Sequence, residues 1–218
     1  LEDFVALVER IKSTPALKDL WDSVLFIEQP LHRDVAMASA LPVEAMAAIG
    51  KPLLIDEADG WAEAFFDAIA LGYDGVSHKN CKGVYRSLIN TGLAAVRNNA
   101  IGRKQYFLSA EDLTNLAVVP LQADLAVVAT LGIPHVERNG HHYFSGLSHL
   151  PEAERNAALD HHAGLYVSHG DTGALWIKEG FLDVRSLQVP GLGVRDHPDL
   201  DDGIPEEDWS FTMLETKP

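Results

Sequence analysis

The sequence predicts an α/β fold built from repeated strand–helix units, as in the C-terminal part of a (β/α)8 barrel. Short apolar segments recur about 23 to 30 residues apart, and each runs into a polar residue. A helix-like segment fills each interval, which is the period of a βα unit. We count five units, whereas a closed barrel contains eight strands. The predicted barrel portion spans residues 1–195, and residues 196–218 form an acidic tail.

Each predicted strand ends at a polar side chain. In chain order, the strands are Val24–Ile27 ending at Glu28, Pro52–Ile55 at Asp56 and Glu57, Gly75–His78 at Lys79, Tyr106–Leu108 at Ser109, and Ile133–Val136 at Glu137. In a barrel the strand ends converge on one mouth, where active sites are built. Glu28 is the first candidate site residue because a carboxylate before a proline does not belong in a dry core.

The intervening helices are predicted from apolar residues at helical spacing. The chain opens inside an amphipathic helix that no capping residue precedes, so we expect part of the protein to lie upstream. The later helices are Pro42–Ile49, Gly60–Leu71, Gly83–Asn99 and Pro120–Leu131. Beyond Glu137 the strand–helix rhythm stops. There the sequence predicts a helix over 150–165 and a short strand pair within 174–184, around Gly180.

Composition limits the function classes. The formal net charge is −15, which excludes a nucleic-acid partner because phosphate binding needs a basic face. The single cysteine, Cys81, is incompatible with an intrachain disulfide framework and is typical of a reducing compartment. No segment has the ~18 apolar residues of a membrane span. We therefore expect a cytoplasmic protein. Because three barrel strands are absent, we also expect exposed sheet edges and self-association into a homo-oligomer.

Four segments, in this order and spacing, resemble the enolase superfamily, in particular its mandelate racemase and muconate-lactonizing branch. They are Phe26-Ile27-Glu28-Gln29-Pro30, Ile55-Asp56-Glu57, His78-Lys79-Asn80-Cys81-Lys82-Gly83 and Pro190-Gly191-Leu192-Gly193. The resemblance covers residues 1–193. It implies an Mg²⁺-dependent isomerase or lyase that abstracts the proton α to a carboxylate and stabilises the resulting enediolate. The expected reactions are racemisation, epimerisation, cycloisomerisation or dehydration of a small carboxylate.

The same resemblance assigns roles to individual residues. Glu28 matches the second acidic metal ligand of the family and Asp56 the third, while the first ligand, a Lys-x-Lys pair and a capping domain are expected upstream of Leu1. Lys79 matches the catalytic lysine base of the muconate-lactonizing branch, and Glu137 corresponds to an acidic residue at the last strand end. Carboxylates suit Mg²⁺, a hard cation that prefers oxygen ligands.

Each role has a structural alternative. Glu28 could cap a neighbouring loop, and Glu57 could replace Asp56 as the ligand. Lys79 could be a structural residue that forms an ion pair with Glu28 or Asp56 and takes no part in catalysis. Glu137 could form an ion pair with Arg138, and Lys82 is expected to be a solvated residue of a helical turn. At the level of the whole chain, the alternative is a non-catalytic barrel fragment that folds by association.

Overall fold

Helices and strands alternate along most of the chain, as the sequence predicts. The structure, a computed structural model, describes residues 1–214. Its helices are α1 Glu2–Ser13, α2 Lys18–Ser23, α3 Arg33–Ala36, α4 Val43–Ile49, α5 Ala64–Leu71, α6 Val84–Ile101, α7 Val119–Leu131 and α8 Glu152–His161, and its strands are β1 Ile27–Glu28, β2 Leu53–Ile55, β3 Gly75–His78, β4 Phe107–Ala110, β5 Tyr166–His169 and β6 Thr172–Leu175. Short 3₁₀ turns include Asn80–Lys82, directly after β3.

The chain divides into two compact units. Unit 1 comprises Leu1–Asn115 and Asp124–Tyr143, and unit 2 comprises Leu116–Ala123 and the described residues from Phe144 onward. Unit 1 contains a parallel sheet in the order β1-β2-β3-β4. An α/β architecture with a parallel sheet is therefore confirmed, while the eight-stranded barrel stays a prediction.

The core of unit 1 forms where the sheet meets its helices. All three residues of β2 and all four of β3 are buried, as expected for central parallel strands covered on both faces. Ile49 of α4 and Phe65 of α5 are at most 1% exposed and pack in the same cluster. The helix α4 ends at Gly50, whose φ of 69° is the left-handed conformation of a helix C-cap.

The parallel sheet is strongly curved. Three strand spacings of ~4.8 Å would place β1 about 14 Å from β4 in a flat sheet. Instead, the rings of Phe26, next to β1, and Phe107, in β4, have centroids 5.6 Å apart. Gly75 of β3 makes room for this contact, since a Cβ there would lie 3.1 Å from ring atoms of Phe107. Side chains from the first and fourth strands therefore meet on the concave face.

The predicted fifth strand shrinks to one bridge. Glu111 and Glu137 form an isolated parallel bridge, and no strand is assigned within 133–136. Pro134 lies in the middle of this segment and has no N–H with which to extend a ladder.

In unit 2, the predicted strand pair is misplaced. The hairpin is formed by β5 and β6, which flank Gly170 and Asp171. Gly170 has a φ of 57°, as the tight turn requires. Around Gly180 only a single bridge forms, between Lys178 and Phe181.

The helix predicted over 150–165 is present but shorter, as α8. In the predicted acidic tail, residues 203–212 are exposed, and residues 215–218 lie outside the described part.

Candidate functional site

Four charged side chains meet at the carboxyl end of the parallel sheet. Glu28 is the last residue of β1, and Asp56, Lys79 and Glu111 directly follow β2, β3 and β4. The carboxyl ends of parallel strands lie along one edge, so consecutive strand ends bring these groups together. The predicted common rim for Glu28, Asp56 and Lys79 is confirmed as geometry.

Three carboxylates form the acidic part of this site. One oxygen from each of Glu28, Asp56 and Glu111 lies within 4.8 Å of the other two. Among the side chains that the structure describes, this is the one group of three or more acidic, histidine or cysteine residues close enough to share an ion. Histidine takes no part in it. A set of three carboxylates has the chemistry of an Mg²⁺ site rather than of a zinc site.

Asp56, rather than Glu57, lies in this group. Asp56 is 4% exposed, whereas the neighbouring Glu57 is exposed and its Oε2 accepts a hydrogen bond from Nε2 of Gln29 at 2.8 Å. Burial alone would raise the pKa of Asp56. Hydrogen bonds from Lys79 and Lys82 outweigh that effect and hold its pKa below the usual value.

Lys79 bridges two of the carboxylates. Its Nζ lies 2.8 Å from Oδ2 of Asp56 and 2.6 Å from Oε2 of Glu111. Burial would lower the pKa of this lysine, but the hydrogen bonds to Asp56 and Glu111, together with their charges, raise it above its ordinary value. Lys79 is therefore protonated while these two carboxylates carry their charges.

Glu28 is the carboxylate that the site stabilises least. Its Oε1 is buried and has no hydrogen-bond partner among the described residues. Burial, with the nearby charges of Asp56 and Glu111, raises its pKa from 4.5 to about 7. A buried carboxylate oxygen without a partner costs stability, so a cation bound beside it would stabilise the charged form of Glu28.

Lys82 is not the solvated residue that the sequence predicts. Its side chain is 15% exposed, and its Nζ lies 2.9 Å from Oδ1 of Asp56. The 3₁₀ turn Asn80–Lys82 follows Lys79, and residues three apart in a 3₁₀ turn lie on the same side. Lys79 and Lys82 therefore both reach Asp56, and the Lys-x-x-Lys spacing is a signal that the sequence reading left unused.

Gln29 fastens the loop that carries Asp56. Its Oε1 accepts hydrogen bonds from the backbone N–H of Asp56 at 2.9 Å and of Ala58 at 2.7 Å. Gln29 has a φ of 31°, an uncommon conformation for a residue other than glycine. The end of β1 thus supplies a carboxylate, Glu28, and the next residue, Gln29, supports the loop that carries Asp56.

Glu111 is the site residue that sequence reasoning missed. The fourth strand was expected to end at Ser109, but β4 continues to Ala110 and Ser109 is buried within it. Side chains alternate along a strand, so Glu111 emerges on the same face as Ser109. His78 pairs with Ala110 in the β3–β4 register, which places Lys79 and Glu111 side by side just beyond it.

Glu137 does not join the three carboxylates. Its side chain is exposed, and its backbone N–H donates to the carbonyl oxygen of Ala110 at 2.8 Å. The neighbouring Arg138 forms ion pairs with Asp112 at 2.8 Å and Asp124 at 3.5 Å. Burial raises the pKa of Asp124 to about 6. This second charged cluster supports the end of the sheet from outside the site.

Comparisons of the chain with protein-family models, curated proteins and solved structures yield no match. Within the described part, none of the helices combines the length and apolar character that crossing a bilayer requires.

Proposed function

We propose that this chain carries the metal and base residues of an enzyme that removes the proton α to the carboxylate of a small molecule. Glu28, Asp56 and Glu111 would hold Mg²⁺, and Lys79 would act as the base. The observation that carries the proposal is the meeting of three carboxylates and a buried lysine at four consecutive strand ends. The motifs that resemble the enolase superfamily support the roles of Glu28, Asp56 and Lys79, while the role of Glu111 depends on the geometry alone.

The donor set fits the proposed cation. Mg²⁺ prefers carboxylate oxygens, keeps several waters, and is bound by few protein ligands. The unpartnered Oε1 of Glu28 offers a free acceptor in the acidic group. When bound, the cation would supply positive charge near the substrate carboxylate, where negative charge develops as the proton leaves.

The proton transfer itself falls to Lys79. Its uncharged amine would take the α-proton, and the electron pair of the broken C–H bond would move toward the substrate carboxylate. Delivery of a proton to the opposite face, from a second acid or from water, gives racemisation or epimerisation, whereas loss of a β-substituent gives elimination. The raised pKa of Lys79 has Asp56 and Glu111 as its sources. If the charges of these two carboxylates were neutralised, burial would be the dominant influence on the pKa of Lys79. Burial lowers that pKa and so favours the uncharged amine.

Exchange of the α-proton with solvent tests this role. The complete protein is incubated in D₂O with Mg²⁺ and panels of acid sugars, dipeptides and N-acyl amino acids, and deuterium uptake is followed by mass spectrometry, because we expect this chain by itself to be inactive. We expect uptake into at least one panel member, and its loss in Lys79→Ala. Lys51→Ala is the matched control, because Lys51 donates to the backbone oxygen of Val24, before β1. Uptake that persists in Lys79→Ala would exclude the lysine as the base.

A second proposal is that the chain is a non-catalytic barrel fragment that folds by association. Two observations favour it: Lys79 is held as a cation between the carboxylates of Asp56 and Glu111, and β1 pairs only with β2 in the described sheet. An unpaired strand edge tends to recruit another chain. Light scattering is expected to show a homo-oligomer, and a monodisperse monomer would contradict this proposal.

A further inference from the structure

Lys82 and Lys79 differ in the number of hydrogen bonds that their ammonium groups donate. Its Nζ donates to the backbone oxygen of Asp56 at 2.9 Å, to Oδ1 of Asp56 at 2.9 Å, and to the backbone oxygen of Ser77 at 3.0 Å. A lysine ammonium has three donors, so all of them are engaged. No proton of Lys82 is left for a substrate.

Lys79, by contrast, makes two contacts in the site, to Asp56 and Glu111. One of its donors stays available to a further acceptor. The two lysines of the Lys-x-x-Lys turn therefore differ in kind, although both touch Asp56.

The contacts of Lys82 join two neighbouring strand ends. Asp56 lies in the loop after β2, and Ser77 belongs to β3. The backbone oxygen of Asp56 also accepts the N–H of Asp59 at 2.9 Å, so Lys82 fastens both ends of a tight turn. Asp59 lies 3.5 Å from Nζ of Lys82, and its Oδ1 lies 2.5 Å from a guanidinium nitrogen of Arg86. Arg86 in α6 thus anchors the turn from the helix side.

We propose that Lys82 is a positioning residue that holds Asp56 in the orientation needed for cation binding. It acts by occupying Oδ1 and the backbone of Asp56, which leaves Oδ2 turned toward Lys79 and the acidic group. This inference rests on the proposed cation site. Partners that orient a metal ligand typically contribute 10–100-fold to metal affinity.

The sign of the effect separates positioning from charge. Lys82 is a cation, so removing its charge would strengthen the binding of another cation nearby if Coulombic repulsion were its main influence. Removing a positioning residue weakens binding instead. Lys82→Met keeps the length of the side chain and removes both the charge and the donors.

Binding of Mn²⁺ to the chain, followed by electron paramagnetic resonance, provides the test. We expect Lys82→Met to bind Mn²⁺ about tenfold or more weakly than the unmodified chain. The control Lys51→Met also removes a lysine that donates to backbone oxygens, and is expected to keep the original affinity. Lys82→Arg is expected to fall between the two, since a planar fork cannot reproduce three ammonium contacts. If Lys82→Met binds Mn²⁺ as tightly as the unmodified chain or more tightly, the proposal is overturned. If Lys82→Met does not fold, an unchanged Mn²⁺ affinity in Lys82→Arg overturns the proposal instead.

Hydrogen exchange of the backbone amides gives a readout that needs no metal. The N–H of Ala58 donates to Oε1 of Gln29, and the N–H of Asp59 donates to the backbone oxygen of Asp56. We expect both to lose protection in Lys82→Met and to keep it in Lys51→Met. If the unmodified chain binds no Mn²⁺, the proposed metal function fails. The exchange result then decides separately whether Lys82 positions Asp56, and unchanged protection refutes that role.

Discussion

Replacing Glu28 by glutamine is expected to stabilise the metal-free protein while removing its response to a divalent cation. The pKa of Glu28 is raised from 4.5 to about 7, first by burial and then by the charge of Asp56. Each pKa unit corresponds to about 1.4 kcal/mol, so the charged form costs about 3 kcal/mol. Because Glu28 is only partly buried, solvent screening reduces this figure to about 1–2 kcal/mol.

The pH dependence follows from the direction of the shift. A carboxyl whose folded-state pKa is raised contributes stability that is present below its unfolded pKa of 4.5 and is lost as pH rises through about 7. Glutamine resembles the protonated acid at every pH. Glu28→Gln should therefore be about 1–2 kcal/mol more stable than the unmodified chain near pH 8. The difference should vanish near pH 4.5.

Urea denaturation across this pH range, with a chelator present, measures the difference in the free energy of unfolding. Glu57→Gln is the matched control, since Glu57 is an exposed carboxylate one strand away, and we expect no comparable gain. Adding Mg²⁺ should stabilise the unmodified chain, by about 2.7 kcal/mol at a hundred times the dissociation constant, and Glu28→Gln much less. The reasoning is refuted if Glu28→Gln is less stable near pH 8, or if its advantage does not shrink as pH falls.

Two further substitutions test the surroundings of the site. Burial lowers the pKa of His78 from 6.5 to about 4, so this residue contributes stability above pH 6.5 that is lost as pH falls toward 4, about 3 kcal/mol in all. His78→Gln should remove that loss, and identical pH slopes of unfolding free energy in the two proteins would contradict it. Arg138→Met leaves the fully buried side chains of Asp112 and Asp124 without their cation and should cost about 3–5 kcal/mol. Chemical denaturation measures this against the exposed Arg103→Met, and an equal cost in both variants would show that the buried pair contributes little.

The outline of the site follows from the sequence because its signals are local. Apolar runs that end in polar residues at the period of a βα unit place Glu28, Asp56 and Lys79 at one end of parallel strands. Parallel direction and period require no knowledge of how the elements pack. Apolar residues at helical spacing, another local signal, likewise placed α4 correctly. It did not locate the turn at Gly170, because the sequence offers several glycines that can form a hairpin.

Tertiary structure decided which groups complete the site. Glu111 reaches Glu28 only because the sheet curves, and curvature arises from packing across four strands rather than from any one of them. Lys82 is largely buried because Asp56 and the backbone oxygen of Ser77 accept its hydrogen bonds. The sequence around Lys82 alone does not show that these acceptors lie within reach. The sequence by itself determined the α/β class with its parallel sheet and the order of the strand ends. The number of carboxylates that meet, and the separation of the two lysines into different roles, depend on distances between segments far apart in the chain, which local patterns do not encode.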